Sequence, residues 1–288
     1  MSEKQLVSHK MRVIERDEFV NKIKSLLIQI QYCLPEDFLY AIKEAIKTEK
    51  NDLAKDVLFK ILENANYSSA TKLPLCQDTG FPIIFIKIGK NISFSFDLIS
   101  EINKIVQEVY EEEKLRKSCV VDPLKRAPLT HCCFVSTEYI EDNERCIVET
   151  LIRGGGSENT SFSTMFLPTT EFDKIINYII NTTIESLPFT CPPVILGIGI
   201  GGSVEQSMLL AKKALFRKIN VRNKNSFYAE VEKYIKDKIN MSNIGPLGLG
   251  GKTSVLDVFI ETAPTHIATL PVSFVLQCHS LRRGSVVI

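Results

Sequence analysis

The sequence predicts a mixed α/β protein, a helical N-terminal region packed on a mixed sheet, with the chemistry carried on loops between the elements. Three observations predict it. The first 70 residues repeat apolar side chains at helical spacing. Beyond residue 72, short runs rich in Val, Ile and Phe alternate with further helical patterns. The chain of 288 residues is 44% hydrophobic, enough for a substantial core. No repeat, low-complexity tract or linker breaks it. One domain over residues 1–288 is expected, with a helical part at 1–70 and a site-bearing part at 71–288.

Residues 17–31 and 36–48 read as amphipathic helices. In NDLAKDVLFKILENA, Asn51 caps a third, with Leu53, Val57, Leu58, Ile61 and Leu62 on one face. KLPLCQDTGFPIIFIKIG then gives a Pro/Gly-punctuated loop around Cys76 and a β-rich run at 83–88. DLISEINKIVQEVYEEEKLRKSC returns to helix, and THCCFVSTEYIEDNERCIVETLI reads as two strands about a polar turn. RGGGSENTSFSTMFLP reads as a loop without regular structure. A helix starts near Thr170. CPPVILGIGIGGSVEQSMLLAKKALFRK follows as a buried strand, a glycine loop and a helix, with Ser203 and Gln206 as its capping box. A helix at 227–239 and two apolar strands, SVLDVFI and LPVSFVLQ, complete the pattern.

Charge is nearly balanced, 35 Lys+Arg against 34 Asp+Glu, so no bulk electrostatic case exists for nucleic acid or an anionic membrane. No apolar stretch approaches the roughly 20 residues of a membrane helix. The start, MSEKQLVSHKMRVIERDEF, is polar and includes acids, unlike a secretory or transit segment, so a cytoplasmic location is expected. Eight cysteines stand at 33, 76, 119, 132, 133, 146, 191 and 278, with no Cys-x-x-Cys pair. A chain of this size builds its core without disulfides, so most of them are expected as small buried apolar residues.

Two glycine motifs need weighing. Gly250-Gly251-Lys252-Thr253 ends like a phosphate loop, but Pro246 occupies the position of the first glycine and has no N–H to give. Lys252 is then a structural or interface charge. Gly197-x-Gly199-x-x-Gly202 matches the dinucleotide fingerprint between strand and helix. The acidic residue expected about 20 positions on, at the end of a second strand, is missing. A nicotinamide oxidoreductase stays open as an alternative.

Cys76, Cys191 and Cys278 differ from the other cysteines in their neighbours: PLCQDTG, TCPPVILG and LQCHSLRRG. Prolines and glycines fix the backbone near each sulfur, and ionisable or amide groups follow two of them. Thiolates beside cationic groups are metal ligands or nucleophiles more readily than core filler. A nucleophile needs one cysteine and a base, whereas three thiolates fit an iron–sulfur cluster with one iron left open.

LCQDTGFP, RGGGSEN, CPPVILGIGIGGSVEQSMLLAKKAL, NIGPLGLGGKTSVLDVFIETAPTHIATLPVSF and CHSLRR run in order from residue 72 to residue 283. Together they resemble the class I, iron–sulfur fumarase and L-tartrate dehydratase family. The resemblance implies a hydro-lyase with a [4Fe–4S] cluster on Cys76, Cys191 and Cys278, its open iron a Lewis acid for a small dicarboxylate. It implies the α subunit of the two-chain form, completed by a separate β subunit in an assembly of two α and two β chains. The general base is then expected from that partner. Gln77 and Asp78 correspond to the substrate-contacting pair and His266 to the active-site histidine, expected to hydrogen-bond Asp78. Arg116 corresponds to the carboxylate-binding arginine, and Gly155 to a backbone N–H donor. Two departures stand out. The loop after LRKSCVVDPLKR is several residues short, with only APLTHCCFV, and Arg153 stands where the family usually has Lys. A cluster-bearing sensor without activity remains a third reading.

Overall fold

A computed structural model describes residues 11–142 and 144–288, and the fold is α/β. In chain order its elements are β1 (Arg12–Ile14), α1 (Arg16–Tyr32), α2 (Glu36–Thr48), α3 (Asp52–Thr71), β2 (Phe81–Gly89), β3 (Ile92–Phe94) and α4 (Leu98–Glu112). There follow β4 (Cys119–Asp122), β5 (Ala127–Thr130), β6 (Phe134–Ile140), β7 (Cys146–Arg153), α5 (Gly155–Glu158), β8 (Ser161–Phe166) and α6 (Phe172–Ser186). The last are β9 (Val194–Gly201), α7 (Val204–Ala214), α8 (Ser226–Asn240), β10 (Val255–Ala263), β11 (Leu270–Gln277) and β12 (Arg282–Val287). Among the described residues no helix is long and apolar enough to cross a membrane.

The chain divides into two compact units that interleave in sequence. The first holds residues 79–152 and 283–288 with the described part of 1–31. Its sheet has the order β12-β7-β2-β6, with β2 parallel to β6 from Ile83↔Phe134 to Gly89↔Ile140. Ile84, Ile86 and Ile88 alternate along β2 and meet Phe19, Ile23 and Leu27 of α1 and Ile102, Ile105 and Val109 of α4 in one core. Asp97 caps α4 through the Ser100 N–H at 2.6 Å. The Tyr110 hydroxyl donates to the carbonyls of Thr79 and Gly80, at 3.2 and 3.1 Å, and the Gln31 amide to Thr79 at 3.0 Å. These bonds fix the entry to β2.

The second unit holds residues 32–78 and 153–282. Its sheet runs β10-β9-β11-β8, with β10 parallel and β11 antiparallel to β9. α7 lies directly on β9. A Cβ at Gly197 would sit 2.2 Å from the Ala211 carbonyl, and one at Gly199 would sit 2.0 Å from that of Ser207. These glycines are consumed by helix-on-strand packing, so the nucleotide reading loses its footing. The Gly250-Gly251 loop does cradle an anion, but one from its own chain. Glu49 is almost fully buried and accepts from the N–H groups of Lys50, Asn51 and Lys252 at 2.9, 3.2 and 2.9 Å, and from the Thr253 hydroxyl at 3.2 Å. Burial raises this carboxyl's pKa and the four hydrogen bonds outweigh it, leaving a net lowering.

The foreseen helices and the Asn51 and Ser203 caps all form, with Asn51 accepting from Ala54 N at 3.0 Å and Ser203 from Gln206 N at 3.3 Å. Three expectations change. RGGGSENTSFSTMFLP is not irregular: it contains α5 and β8, because alternating Phe162, Thr164 and Phe166 pair antiparallel with β11. The cysteines are not all free, since Cys119 and Cys132 are disulfide-bonded at the base of the β4–β5 hairpin. The short strands β1, β3, β4, β5 and β12 had no periodicity long enough to announce them.

Because the Glu49 pKa is lowered on folding, its stabilisation is present above the unfolded carboxyl's pKa and is lost as pH falls through the folded one. Glu49→Gln should therefore cost about 2 kcal/mol near neutral pH, the scale of charge-assisted hydrogen bonds. Denaturant titration should show the gap between variant and parent narrowing toward about pH 3, below the unfolded carboxyl's ordinary pKa.

Candidate active site

The second unit gathers its three distinctive cysteines from three separate loops. Cys76 follows the end of α3, where Lys72 turns left-handed at φ 57° and donates to Ser68 O at 2.9 Å. The Ser68 hydroxyl and the Asn64 amide then hold the carbonyls of Leu73 and Leu75, at 2.6 and 3.0 Å. The Cys76 thiol faces Gln77 Oε1 at 3.4 Å. Cys191 follows a short 3₁₀ turn, Leu187–Phe189, with φ at 53°, and its carbonyl accepts from His279 N at 3.3 Å. That bond ties the second cysteine to the residue after the third. Cys278 ends β11, its N–H donating to Ser157 Oγ at 3.2 Å.

The Cys191 thiol responds to the other two. Burial pushes the Cys191 thiol's pKa upward, and the charges of Cys278 and then Cys76 push it further. Thiolates so placed repel, and a cation among them would reverse that penalty. His279, directly after Cys278, is half-buried, and desolvation with the charge of Arg282 lowers its imidazole pKa to about 4.

Asp78 and Gly155 come together as well. Asp78 Oδ2 accepts from Gly155 N at 2.7 Å. A Cβ on the neighbouring Gly154 would lie 2.7 Å from the same oxygen, so only glycine admits the carboxylate this closely. Beneath this turn lies Arg153, with no exposed surface. Its Nε donates to Glu158 at 2.6 Å, Nη1 to Gln277 Oε1 at 3.3 Å, and Nη2 to the Ser157 carbonyl and to Ser161 Oγ. Burial depresses the guanidinium's pKa, while the charges of Glu158 and Cys278 oppose the change. Glu158 is shared with Lys212 of α7, at 2.7 Å.

Two expected residues stand differently. The His266–Asp78 hydrogen bond is not formed: His266 is exposed on the turn after β10, where its Nδ1 accepts from Ala268 N at 3.1 Å. Arg116 belongs to the first unit. There its N–H donates to Thr79 Oγ1 at 3.0 Å, the Thr79 hydroxyl donates back to its carbonyl at 3.3 Å, and its side chain is exposed. Sequence reading passed over Ser157 and Gln277, though Ser157 lies inside RGGGSEN and Gln277 directly precedes Cys278. Their signal was adjacency to a named motif.

The second unit thus carries three free thiols, Cys76, Cys191 and Cys278, and a carboxylate, Asp78, held by the Gly155 N–H. Residues 20–287 match the family model described as "Fumarate hydratase (Fumerase)", and the chain belongs to that family of hydro-lyases. It is 42% identical over 259 residues to a Methanocaldococcus jannaschii chain provisionally named L(+)-tartrate dehydratase subunit alpha, covering 87% of this chain and 90% of that one. It is 28% identical over 281 residues to the L(+)-tartrate dehydratase subunit alpha of Escherichia coli K12, covering 95% and 93%.

Gly154→Ala should leave folding nearly unchanged, because the group it displaces is the end of a side chain rather than backbone. Asp78 should be pushed off Gly155 N. Hydro-lyase activity should fall by about 10-fold or more, within the range of a lost positioned acid–base group. An unchanged rate would show that the Asp78–Gly155 contact has no part in the reaction.

Proposed function

We propose that this chain is the α subunit of an iron–sulfur hydro-lyase that adds water to fumarate to give malate, and removes it in the reverse direction. The observation that supports the reading is that the free thiols of Cys76, Cys191 and Cys278 stand in one unit, with the Cys191 carbonyl hydrogen-bonded to the N–H of His279, the residue after Cys278. Among the described residues no group of three His, Cys, Asp or Glu side chains is set to hold a single metal ion. Thiolates sharing one zinc ion sit about 2.3 Å from it, whereas a cluster takes its cysteines on separate irons. The donor set therefore suits a [4Fe–4S] group on these three cysteines. When bound, such a group supplies one iron without a protein ligand, a Lewis acid for the substrate's hydroxyl and carboxylate.

The remaining work falls to side chains and backbone. Asp78, oriented by Gly155 N–H, holds or moves a proton at the reacting carbons. Gln77 beside Cys76 offers an amide to the substrate's polar end. Arg116 grips a carboxylate with two parallel donors. His266, exposed on its turn, would exchange its bond from Ala268 N for one to Asp78 or the substrate once the site is covered. The "subunit alpha" names of the relatives support a separate β subunit as the cover, in a heterotetramer of two α and two β chains, with the general base on that partner. Excluding water there strengthens every charge–charge contact at the site. A cytoplasmic setting suits the three free thiols, and the Cys119–Cys132 disulfide is the feature that does not fit it. The names of the same relatives favour one second reading of the substrate, L(+)-tartrate, which loses water by the same chemistry.

Anaerobic co-expression with the partner tests the proposal. Cys76→Ser, Cys191→Ser and Cys278→Ser should each lose nearly all iron and activity, while Cys133→Ser keeps both. Equal iron in all four would overturn the ligand set. Iron retained by the parent with no turnover of fumarate, malate or either tartrate would leave the sensor reading instead.

A further inference from the structure

We infer that Arg153, standing where the family usually has Lys, is a positioning residue for Cys278 in this chain, and that its forked guanidinium as well as its charge serves that role against the acceptors around it here. The inference rests on the reading of Cys278 as a cluster ligand. Two side chains hold Cys278 directly, and the Ser280 carbonyl lies 4.0 Å from its sulfur. Ser157 Oγ accepts its N–H at 3.2 Å, and the Gln277 amide lies with Nε2 3.9 Å from its sulfur. Arg153 controls both. Nη1 occupies Gln277 Oε1, so the opposite face of that amide, the N–H₂, must point toward Cys278 Sγ and the Ser280 carbonyl, the latter at 3.2 Å. Nη2 holds the Ser157 carbonyl and so fixes the turn that aims Ser157 Oγ at Cys278. Nε is spent on Glu158, which Lys212 shares.

An arginine reaches these acceptors at once because its five donors lie in one rigid plane. A lysine nitrogen is a single point on a flexible stem and can satisfy only part of the set. With Lys, Gln277 would be free to turn its oxygen toward the sulfur, replacing a favourable N–H···S contact by repulsion. Hydrogen bonds to ligand sulfurs tune a cluster, and partners beyond the ligands carry about 10–100-fold in metal retention.

The test uses the full chain with its partner, reconstituted anaerobically, and compares Arg153→Lys, Gln277→Met and Cys278→Ser with the parent. The rate at which a chelator strips iron is the readout, alongside the melting temperature of the cluster-free protein. Arg153→Lys and Gln277→Met should both release iron about 10-fold faster than the parent, by more than any fall in cluster-free melting accounts for. Parent-like iron release in both variants, with Cys278→Ser empty of iron, overturns the inference and leaves the ligand reading standing. A fall in cluster-free melting that accounts for the faster release also overturns it, by reducing Arg153 to a fold-stabilising residue. Full iron in Cys278→Ser sinks the ligand reading and this inference with it.

Discussion

A guanidinium without exposed surface survives only where its donors are answered, since an unanswered buried charge costs several kcal/mol. At Arg153 that requirement organises a large part of the second unit. The answers come from Glu158 at the end of α5, Ser157 within it, Ser161 at the start of β8 and Gln277 at the end of β11. Glu158 passes the constraint on to Lys212 of α7, which lies against β9. One charge thus fixes the glycine turn below Asp78, the strand end bearing Cys278, and the helix backing the sheet. α5 is only four residues long and would have little reason to exist by itself.

Glycine-rich loops with free N–H groups attract anions, and both phosphate-like motifs in the sequence raise that expectation. The fold meets it internally. Glu49 fills the cradle at Lys252, and Asp78 takes the N–H of Gly155. The two carboxylates nonetheless differ in kind. Glu49 is buried and engaged on all sides, which suits a fastener between the end of α2 and the loop before β10. Asp78 lies beside the cysteines, on a turn whose glycines leave room for something else to approach.

How much of this was legible follows from the physics of each signal. Helices announce themselves by periodicity over many residues and by caps, so α2, α3, α6, α7 and α8 could be read with their ends nearly in place. The β8 strand was hidden because glycines and serines upstream coloured the whole segment as loop, while its partner β11 is more than a hundred positions away. Neighbouring residue types single out Cys76, Cys191 and Cys278, and the fold carries all three as free thiols in one unit. The pairing of Cys119 with Cys132 was not legible, since thirteen residues of separation say nothing about a hairpin folding back between them. His266 was legible as a residue but not as a contact: its motif names the side chain, and only geometry shows Nδ1 turned onto its own loop.

The surroundings of the site residues bear on why a second chain belongs to the proposal. Phe189, two residues before Cys191, is 75% exposed, and Ile267, directly after His266, is 91% exposed. Single exposed apolar side chains are ordinary on any surface. These two are different in position, since each adjoins a residue assigned to the chemistry. Polar residues would serve there equally well if water were their permanent neighbour. Apolar side chains gain about 25 cal/mol per Å² when covered, so a partner settling over this face would draw binding energy from the same act that dries the thiols. Coverage would also remove the solvent that now competes for His266, making its rotation toward Asp78 worth more than its present bond to Ala268. On the proposed reading, assembly with a β subunit and completion of the site would be one event, which fits a carboxylate already held by Gly155 and a histidine still turned onto its own loop.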